Sequence, residues 1–258
     1  MEYLKLFKTQ AEAVGQTVKT PNVSTLEGME KALYVPESVG DEVEIIKDGD
    51  FINYYVDPYE YVDLGLTSGT LWAKCNIGAT KETDYGLFFQ WGDTVGYDED
   101  SAAAHSTWST CPGNGGASSY NNSALSTWDT TNLTDNVLNT SVDAAYAHTN
   151  GKAKMPTLTQ VEELINGTNS EWTTIDGVAG RKFTNKSDSS KYIFIPAAGC
   201  FYNGSHSYKG SEGGVWSGSL YASNIYAAFY LYFNSSYVNT SISYGRYYAR
   251  SVRGVKNV

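Results

Sequence analysis

A chain of 258 residues with 18 basic and 28 acidic side chains has a net charge of −10, which argues against nucleic acid or an anionic membrane as partner, since both require a basic patch. Apolar residues make up 41% of it, enough to build a core, so wholesale disorder is excluded. No apolar run approaches the roughly 18 residues of a spanning helix, so no membrane insertion is expected. Only 18% of the residues are charged, while the chain holds 21 Tyr and 25 Gly and is rich in Ser, Thr and Asn. A surface kept wet by hydroxyls and amides suits a β-rich, loop-rich protein.

Met1–Lys8 has no apolar stretch long enough for a signal peptide. Either a signal has been removed, or the protein never enters a secretory route. Residues 1–56 offer short apolar pieces, Glu27–Tyr34 and Val43–Ile46, separated by Pro21, Pro36 and Gly40. With little core of its own, this segment is expected to pack on something else and to serve attachment or oligomerisation. From residue 57 the chain becomes a run of short strands and turns. Asp63–Ala73 has the character of a hairpin with Gly65 and Gly69 at its turns, and Tyr85–Gly92 reads as a compact aromatic strand. Residues 93–152, rich in Ser, Thr, Asn and Gly, are too long for a plain connection and are expected to form structured surface loops. Met155–Gly167 is the clearest helix, capped by Thr157 or Thr159, with Glu162 and Glu163 in its first turns and Gly167 at its end. Tyr192–Pro196 is a strand stopped by proline. The pattern predicts an α+β domain over 57–258: mostly short antiparallel strands, one or two helices and long surface loops.

Chemistry-bearing clusters are sparse. Cys75, Cys111 and Cys200 are sequence-remote and fit no disulfide framework or zinc ribbon, so free, mostly buried thiols are expected. One remote disulfide stays open. His105, His148 and His206 lack metal-ligand spacing, and Asp98-Glu99-Asp100 lacks that of a calcium loop and reads as a solvated acidic loop. No nucleophile elbow, phosphate loop or dinucleotide fingerprint occurs. Neither an enzyme nor a bound cofactor or metal is expected.

Several pieces, in order, resemble a known family. They are Asp63-Leu64-Gly65-Leu66-x-Ser68-Gly69-Thr70-x-Trp72-Ala73, Asn76-x-Gly78-Ala79 and Tyr85-Gly86-x-x-Phe89-x-Trp91-Gly92, then Met155-Pro156-Thr157 with Glu162 and Leu164. Pro196-Ala197-Ala198-Gly199, Trp216-Ser217 and Ser251-Val252-Arg253 complete the set. Together they look like the major paralogous domain of Bacteroidetes and Fibrobacteres, related to the formylglycine-generating version of the C-type lectin fold. The resemblance implies a C-type lectin-like architecture, not an activity. The formylglycine-generating relatives use a cysteine pair near the end of the fold; here Cys200 stands alone. The calcium-dependent sugar motifs of C-type lectins are absent. The ending from Trp216-Ser217 to Ser251-Val252-Arg253 is also similar to the variable region of proteins diversified by retroelements. There, adenines of Asn codons are randomised, yielding Tyr, Ser, Ile, Thr, Phe and His but never a stop.

Residues 202–248 show that palette, with 10 Tyr, 10 Ser and 4 Asn among 47 residues and charge only at Lys209, Glu212 and Arg246. Along Ala228–Asn234 a period of two places Leu231 and Phe233 on one face and Tyr230, Tyr232 and Asn234 on the other. With the aliphatic face inward, Tyr230 and Tyr232 stand in solvent, so removing their rings should cost little stability. Tyr237–Tyr244 keeps a different schedule and reads as a loop or irregular strand. Val252 and Val255 are expected to point inward. Aromatic strands and Asn/Ser loops are also ordinary core and filler. Yet Tyr, Ser and Asn are the residues of antibody paratopes, large rigid contacts joined to adaptable hydrogen bonds. The expected ligand contacts are Tyr221, Ser223, Asn224, Ile225, Tyr226, Tyr230, Tyr232, Asn234, Tyr237, Asn239, Ser241, Ser243, Tyr244, Tyr247 and Tyr248, with Tyr202, His206 and Tyr208 from the preceding loop. Trp72, Trp91, Trp216, Leu231, Phe233 and Arg253 are expected to be scaffold.

The reading is a ligand-binding display protein for a host-surface protein or glycan. Without a signal and with an N-terminal arm, it looks like a phage tail or receptor-binding protein, assembled in the bacterial cytoplasm. Residues 1–56 would then join other virion or surface-assembly proteins, and a homotrimer is expected by analogy with tail fibres. The alternatives are a non-diversified adhesin or structural protein at the bacterial cell surface and, more remotely, a formylglycine-generating-type enzyme.

Overall fold

The computed structural model describes residues 43–48, 51–56, 59–243 and 245–257, with only the backbone described for 43–48, 51–56 and 242–243. Two units divide the chain, Met1–Tyr59 and Glu60–Val258. In the first, β1 (Val43–Asp48) and β2 (Phe51–Val56) form an antiparallel hairpin pairing Val43 with Val56 and Asp48 with Phe51. The rest of the expected attachment segment lies outside the described residues.

The second unit is sheet-rich, with few helices, an α+β arrangement. β3 (Tyr61–Asp63) and β4 (Leu71–Ala73) pair antiparallel, and Gly65 and Gly69 take the left-handed φ of +68° and +75° in the turns between them. At Gly65 a Cβ would lie 2.7 Å from Nδ2 of Asn185, so glycine is required there twice over. The expected strand at Tyr85–Gly92 shrinks to β5 (Phe88–Phe89), because Gly86 and Gly92 both turn the backbone left-handed.

Residues 93–152 contain more order than the expected loops. The helices α1 (Asn122–Asn132) and α2 (Ala144–His148) fall there, with β6 (Leu133–Thr134) and β7 (Val137–Leu138) between them. Asn121 and Asp143 supply the caps, accepting from the N–H of Ala124 and Tyr146. Buried Asn114 ties residues 108–121 together: its Nδ2 faces the carbonyls of Trp108, Ala117 and Ser119 at 2.9–3.0 Å, and its Oδ1 accepts from Asn121 N–H. With α3 (Leu158–Gly167), the described residues hold three α-helices where one or two were expected. Periodicity missed the other two because α1 turns only Leu125 fully inward and α2 is five residues long. On α3, Thr157 and Gln160 form a reciprocal capping box, and Val161 and Leu164 face the core. Glu163 accepts from the N–H and hydroxyl of Ser68, fastening the helix to the β3–β4 turn.

Next come β8 (Thr168–Ile175), β9 (Val178–Asn185) and β10 (Tyr192–Pro196), an antiparallel three-stranded sheet in the order β10-β9-β8. A hairpin of β11 (Cys200–Tyr202) and β12 (Ser205–Ser207) leads to the main sheet. There β13 (Glu212–Leu220), β14 (Ala228–Asn234), β15 (Val238–Ser243) and β16 (Arg250–Ser251) lie in the order β15-β14-β13-β16-β5, all pairs antiparallel except β13 with β16. β17 (Val255–Lys256) returns to pair with β4. The expected irregular segment at 237–244 is instead the regular strand β15, matched residue for residue with β14 from Phe233–Val238 to Ala228–Ser243. Its alternation is real: Val238, Thr240 and Ile242 share one face, and the polar Thr240 hides the pattern.

Leu64, Leu66, Trp72, Val161, Leu164, Phe183, Ile193, Ile195, Val215, Leu231, Phe233 and Val255 form the main core. Val252 is also buried, and the cysteines are free, two buried and Cys75 partly so. Arg253, wholly buried, donates to the Asn76 side chain (3.0 Å) and to the carbonyls of Lys74 (3.0 Å) and Ala73 (3.3 Å), while burial lowers its pKa to about 10.

Asp143 gives the fold a pH signature. Its carboxylate caps α2 and accepts from Met155 N–H, yet burial raises its pKa from 3.8 to about 6. A raised carboxyl pKa favours the folded state fully below the unfolded value and loses that contribution as pH rises through the folded one. Stability is therefore expected to fall by at most about 3 kcal/mol between pH 4 and pH 6 through this group. Urea titrations of Asp143→Asn should lose that slope.

Candidate functional site

The outer face of the main sheet collects the tyrosines. Residues directly opposite on antiparallel strands share a face, so Trp216–Tyr230–Ser241 and Gly214–Tyr232–Asn239 lay two rows across β13, β14 and β15, and Glu212–Asn234 a third across β13 and β14. Leu231 and Phe233 point the other way, into the core. Tyr230, Tyr232 and Tyr237 meet ring to ring, with centroids 6.1 Å and 5.6 Å apart, and Tyr230 sits edge-on to Trp216 at 5.9 Å. Together with Asn239, Thr240 and Ser241 these three tyrosines line an open depression of about 200 Å³ that contains no charged side chain.

Tyr230 corrects the expectation that its ring stands in solvent: it is only 8% exposed. The guanidinium of Arg250 lies 3.9 Å above its ring centre and also faces Trp216 and Tyr248, each at 5.4 Å. Gly214 makes room for this stack, since a Cβ there would come within 2.7 Å of Arg250 Nη1. Strand alternation assigned the correct face; the lid over it comes from β16.

From Arg250 the band of rings continues. Tyr248 stacks on Tyr202 at 5.2 Å and leans on Tyr247 at 4.8 Å; Tyr247 meets Trp108 at 4.8 Å; Tyr120 bridges Trp108 (6.1 Å) to Tyr226 (5.0 Å). Trp108 and Tyr120 belong to the 93–152 segment and were not among the expected contacts. Nothing in the sequence marked them, since that segment is poorer in aromatics than the chain as a whole. Burial pushes the Tyr248 phenol up to about 12 and raises that of Tyr232, so both rings stay neutral donors.

The other expected contacts divide. Tyr237 and Tyr208 are about half exposed, and Ser223 and Asn239 are also exposed. Tyr208 holds a left-handed φ of +63°, costly for a bulky residue; its carbonyl accepts from the N–H groups of Ser211 and Glu212. Asn224 and Ile225 lie in the turn before β14, where the Ile225 carbonyl accepts from Arg246. Tyr221 packs edge-on against Phe229. Asn234 is spent on the β14–β15 turn, accepting from Ser236 and Tyr237 N–H and donating to the Tyr232 hydroxyl. His206 turns inward: it stacks on Phe201 at 4.0 Å, its Nε2 donates to the Ala198 carbonyl at 2.7 Å, and its Nδ1 lies 3.3 Å from Glu99. The acidic loop is accordingly not merely solvated, since Glu99 also pairs with Lys209. Tyr244 and the Ser243 side chain lie outside the described residues.

Beneath the band, Arg246 is fully buried between Trp91 and Trp128, 4.6 Å and 5.0 Å from their ring centres, and bonded to Asp129 of α1 at 2.8 Å. It fixes the turn that carries Tyr247 and Tyr248.

The family model described as Domain of unknown function (DUF8237) matches residues 139–255, just under half of the chain and including the main sheet apart from β5, β6 and β7. No curated protein and no solved structure matches.

The burial pattern separates two neighbours on one sheet. Tyr230→Ala should destabilise the protein by about 3 kcal/mol, as expected when a packed ring is emptied. Tyr237→Ala should stay within about 0.5 kcal/mol of the parent. Urea midpoints of the two variants, measured side by side, check the contrast.

Proposed function

We propose that this protein is a ligand-binding display protein: a C-type lectin-like domain whose C-terminal sheet face carries a retroelement-diversified surface for a host-surface protein or glycan. The observation that carries the reading is the continuous band of rings from Tyr237 to Tyr226, joined through Arg250, edged by Asn and Ser and backed by buried Trp91, Trp216 and Arg246. Such a face offers large contact area whose rings are already ordered, so association freezes few torsions. Its near lack of charge suits a surface whose specificity is written in shape and hydroxyls.

The protein acts by binding and not by catalysis. Cys200, the residue nearest in position to the cysteines of the formylglycine-generating relatives, is buried, and burial raises its thiol pKa, the opposite of an activated nucleophile. A phage tail or receptor-binding role, with residues 1–56 attached to the particle, follows from the same resemblance.

The neighbouring DNA tests the central claim. A near-copy of codons 202–248, differing only where the template has adenine and lying beside a reverse transcriptase, is the expected finding. Differences spread over all four bases would remove diversification from the account.

A further inference from the structure

β15 forms one margin of the main sheet. Natural sheets protect such margins with charge, proline, bulges or brevity, because unpaired N–H and C=O groups template pairing with another chain. Elsewhere in residues 60–258 the protection is visible. β8 carries Glu171, β10 ends at Pro196, β3 ends in Asp63, β17 contains Lys256, and β5 is two residues long. β15 has none of these: Val-Asn-Thr-Ser-Ile-Ser is six residues without charge or proline, paired with β14 without a register shift.

The hairpin settles which groups face outward. Asn234 N–H donates to the Tyr237 carbonyl at 3.1 Å, closing the turn on Ser235 and Ser236. Hydrogen-bonded pairs then alternate along an antiparallel ladder, so Asn239, Ser241 and Ser243 bond to β14, while Val238, Thr240 and Ile242 turn N–H and C=O to the open side. Among the described residues, no backbone hydrogen bond outside the sheet uses those groups.

We propose that the occupant of this edge is a second copy of the same chain, added antiparallel about a two-fold axis through Thr240. The strand is self-complementary in that register. Thr240 faces Thr240 of the second copy and Val238 faces Ile242, so all three outward residues on each strand find partners. Asn239 then lies opposite Ser241 on the tyrosine face. No charge on the strand opposes self-pairing, although the chain as a whole carries −10. The depression lined by Tyr237, Asn239 and Ser241 sits beside the seam, so pairing would set two tyrosine faces side by side on one continuous sheet. This inference stands on backbone geometry and does not depend on diversification.

Full-length Thr240→Cys is expected to form a covalent dimer on mild oxidation, because facing residues of a bonded pair lie within disulfide reach. Asn239→Cys, whose counterpart is Ser241, should crosslink about tenfold less. The parent protein, with its three free cysteines, sets the background. Thr240→Pro removes an outward N–H and no bond to β14, so it should keep the parent circular dichroism while sedimenting as a smaller species than the parent. Absence of the Thr240→Cys crosslink, equal crosslinking of both cysteine variants, or unchanged sedimentation of a folded Thr240→Pro would each overturn the proposal.

Discussion

Two indoles that bond across the chain hold the rest of this domain in place. Trp91 Nε1 donates to the Ser217 carbonyl at 2.8 Å, and Trp216 Nε1 donates to the Phe89 carbonyl at 2.9 Å, joining positions more than 120 residues apart. Both rings are fully buried, so each bond satisfies a donor that would otherwise be stranded in apolar surroundings. They lock the short β5 region to β13 in the middle of the main sheet. Arg246 then stacks on Trp91, and Arg250 reaches across Trp216 to Tyr230. The ordering of the outer tyrosines is inherited from these indoles through two guanidinium groups, which pass positional order from core to surface without exposing charge.

The Arg246–Asp129 pair shows what kind of contribution such a buried charge makes. Burial lowers the pKa of Arg246 and raises that of Asp129, so for each partner desolvation outweighs the attraction of an ion pair only 2.8 Å long. Among the described residues, Nε and Nη2 of Arg246 and Oδ2 of Asp129 have no hydrogen-bond partner. A pair of this kind contributes little net stability compared with a well-packed apolar substitute, but removing one member strands the other. Its effect is location. It joins α1 of the 93–152 segment to the turn bearing Tyr247 and Tyr248, which places Trp108 and Tyr120 where they extend the ring band.

What the sequence made legible follows the range of the forces involved. Local chemistry was readable: the Thr157 cap, the glycine turns at 65 and 69, the proline-stopped strand at 192–196, and the inward Leu231 and Phe233 all rest on neighbours a few residues away. Alternation also assigned Tyr230 and Tyr232 to one face. It says nothing of depth, because the lid over Tyr230 comes from Arg250 of another strand. The regularity of β15 was hidden because the polar Thr240 interrupts the apolar alternation of Val238 and Ile242, and pairing with β14 brings it out. Trp108 and Tyr120 were invisible as contacts because roughly a hundred residues and a buried ion pair separate them from Tyr226 and Tyr247. Sequence patterning thus reported faces and caps, while the assembled surface required tertiary links between distant segments.

The absence of charge on β15 has a structural consequence for the sheet that carries it. Lysine, glutamate or a bulge on β15 would protect its margin, but Asn239 and Ser241 of that strand also border the depression among Tyr230, Tyr232 and Tyr237. A charge placed there would enter the proposed binding surface, and a bulge would swing the Asn and Ser side chains out of their rows opposite Tyr232 and Tyr230. The demands of the proposed flat contact surface and of a guarded edge therefore conflict on the same six residues. On the proposed reading the contact surface prevails, and the open edge is its physical counterpart.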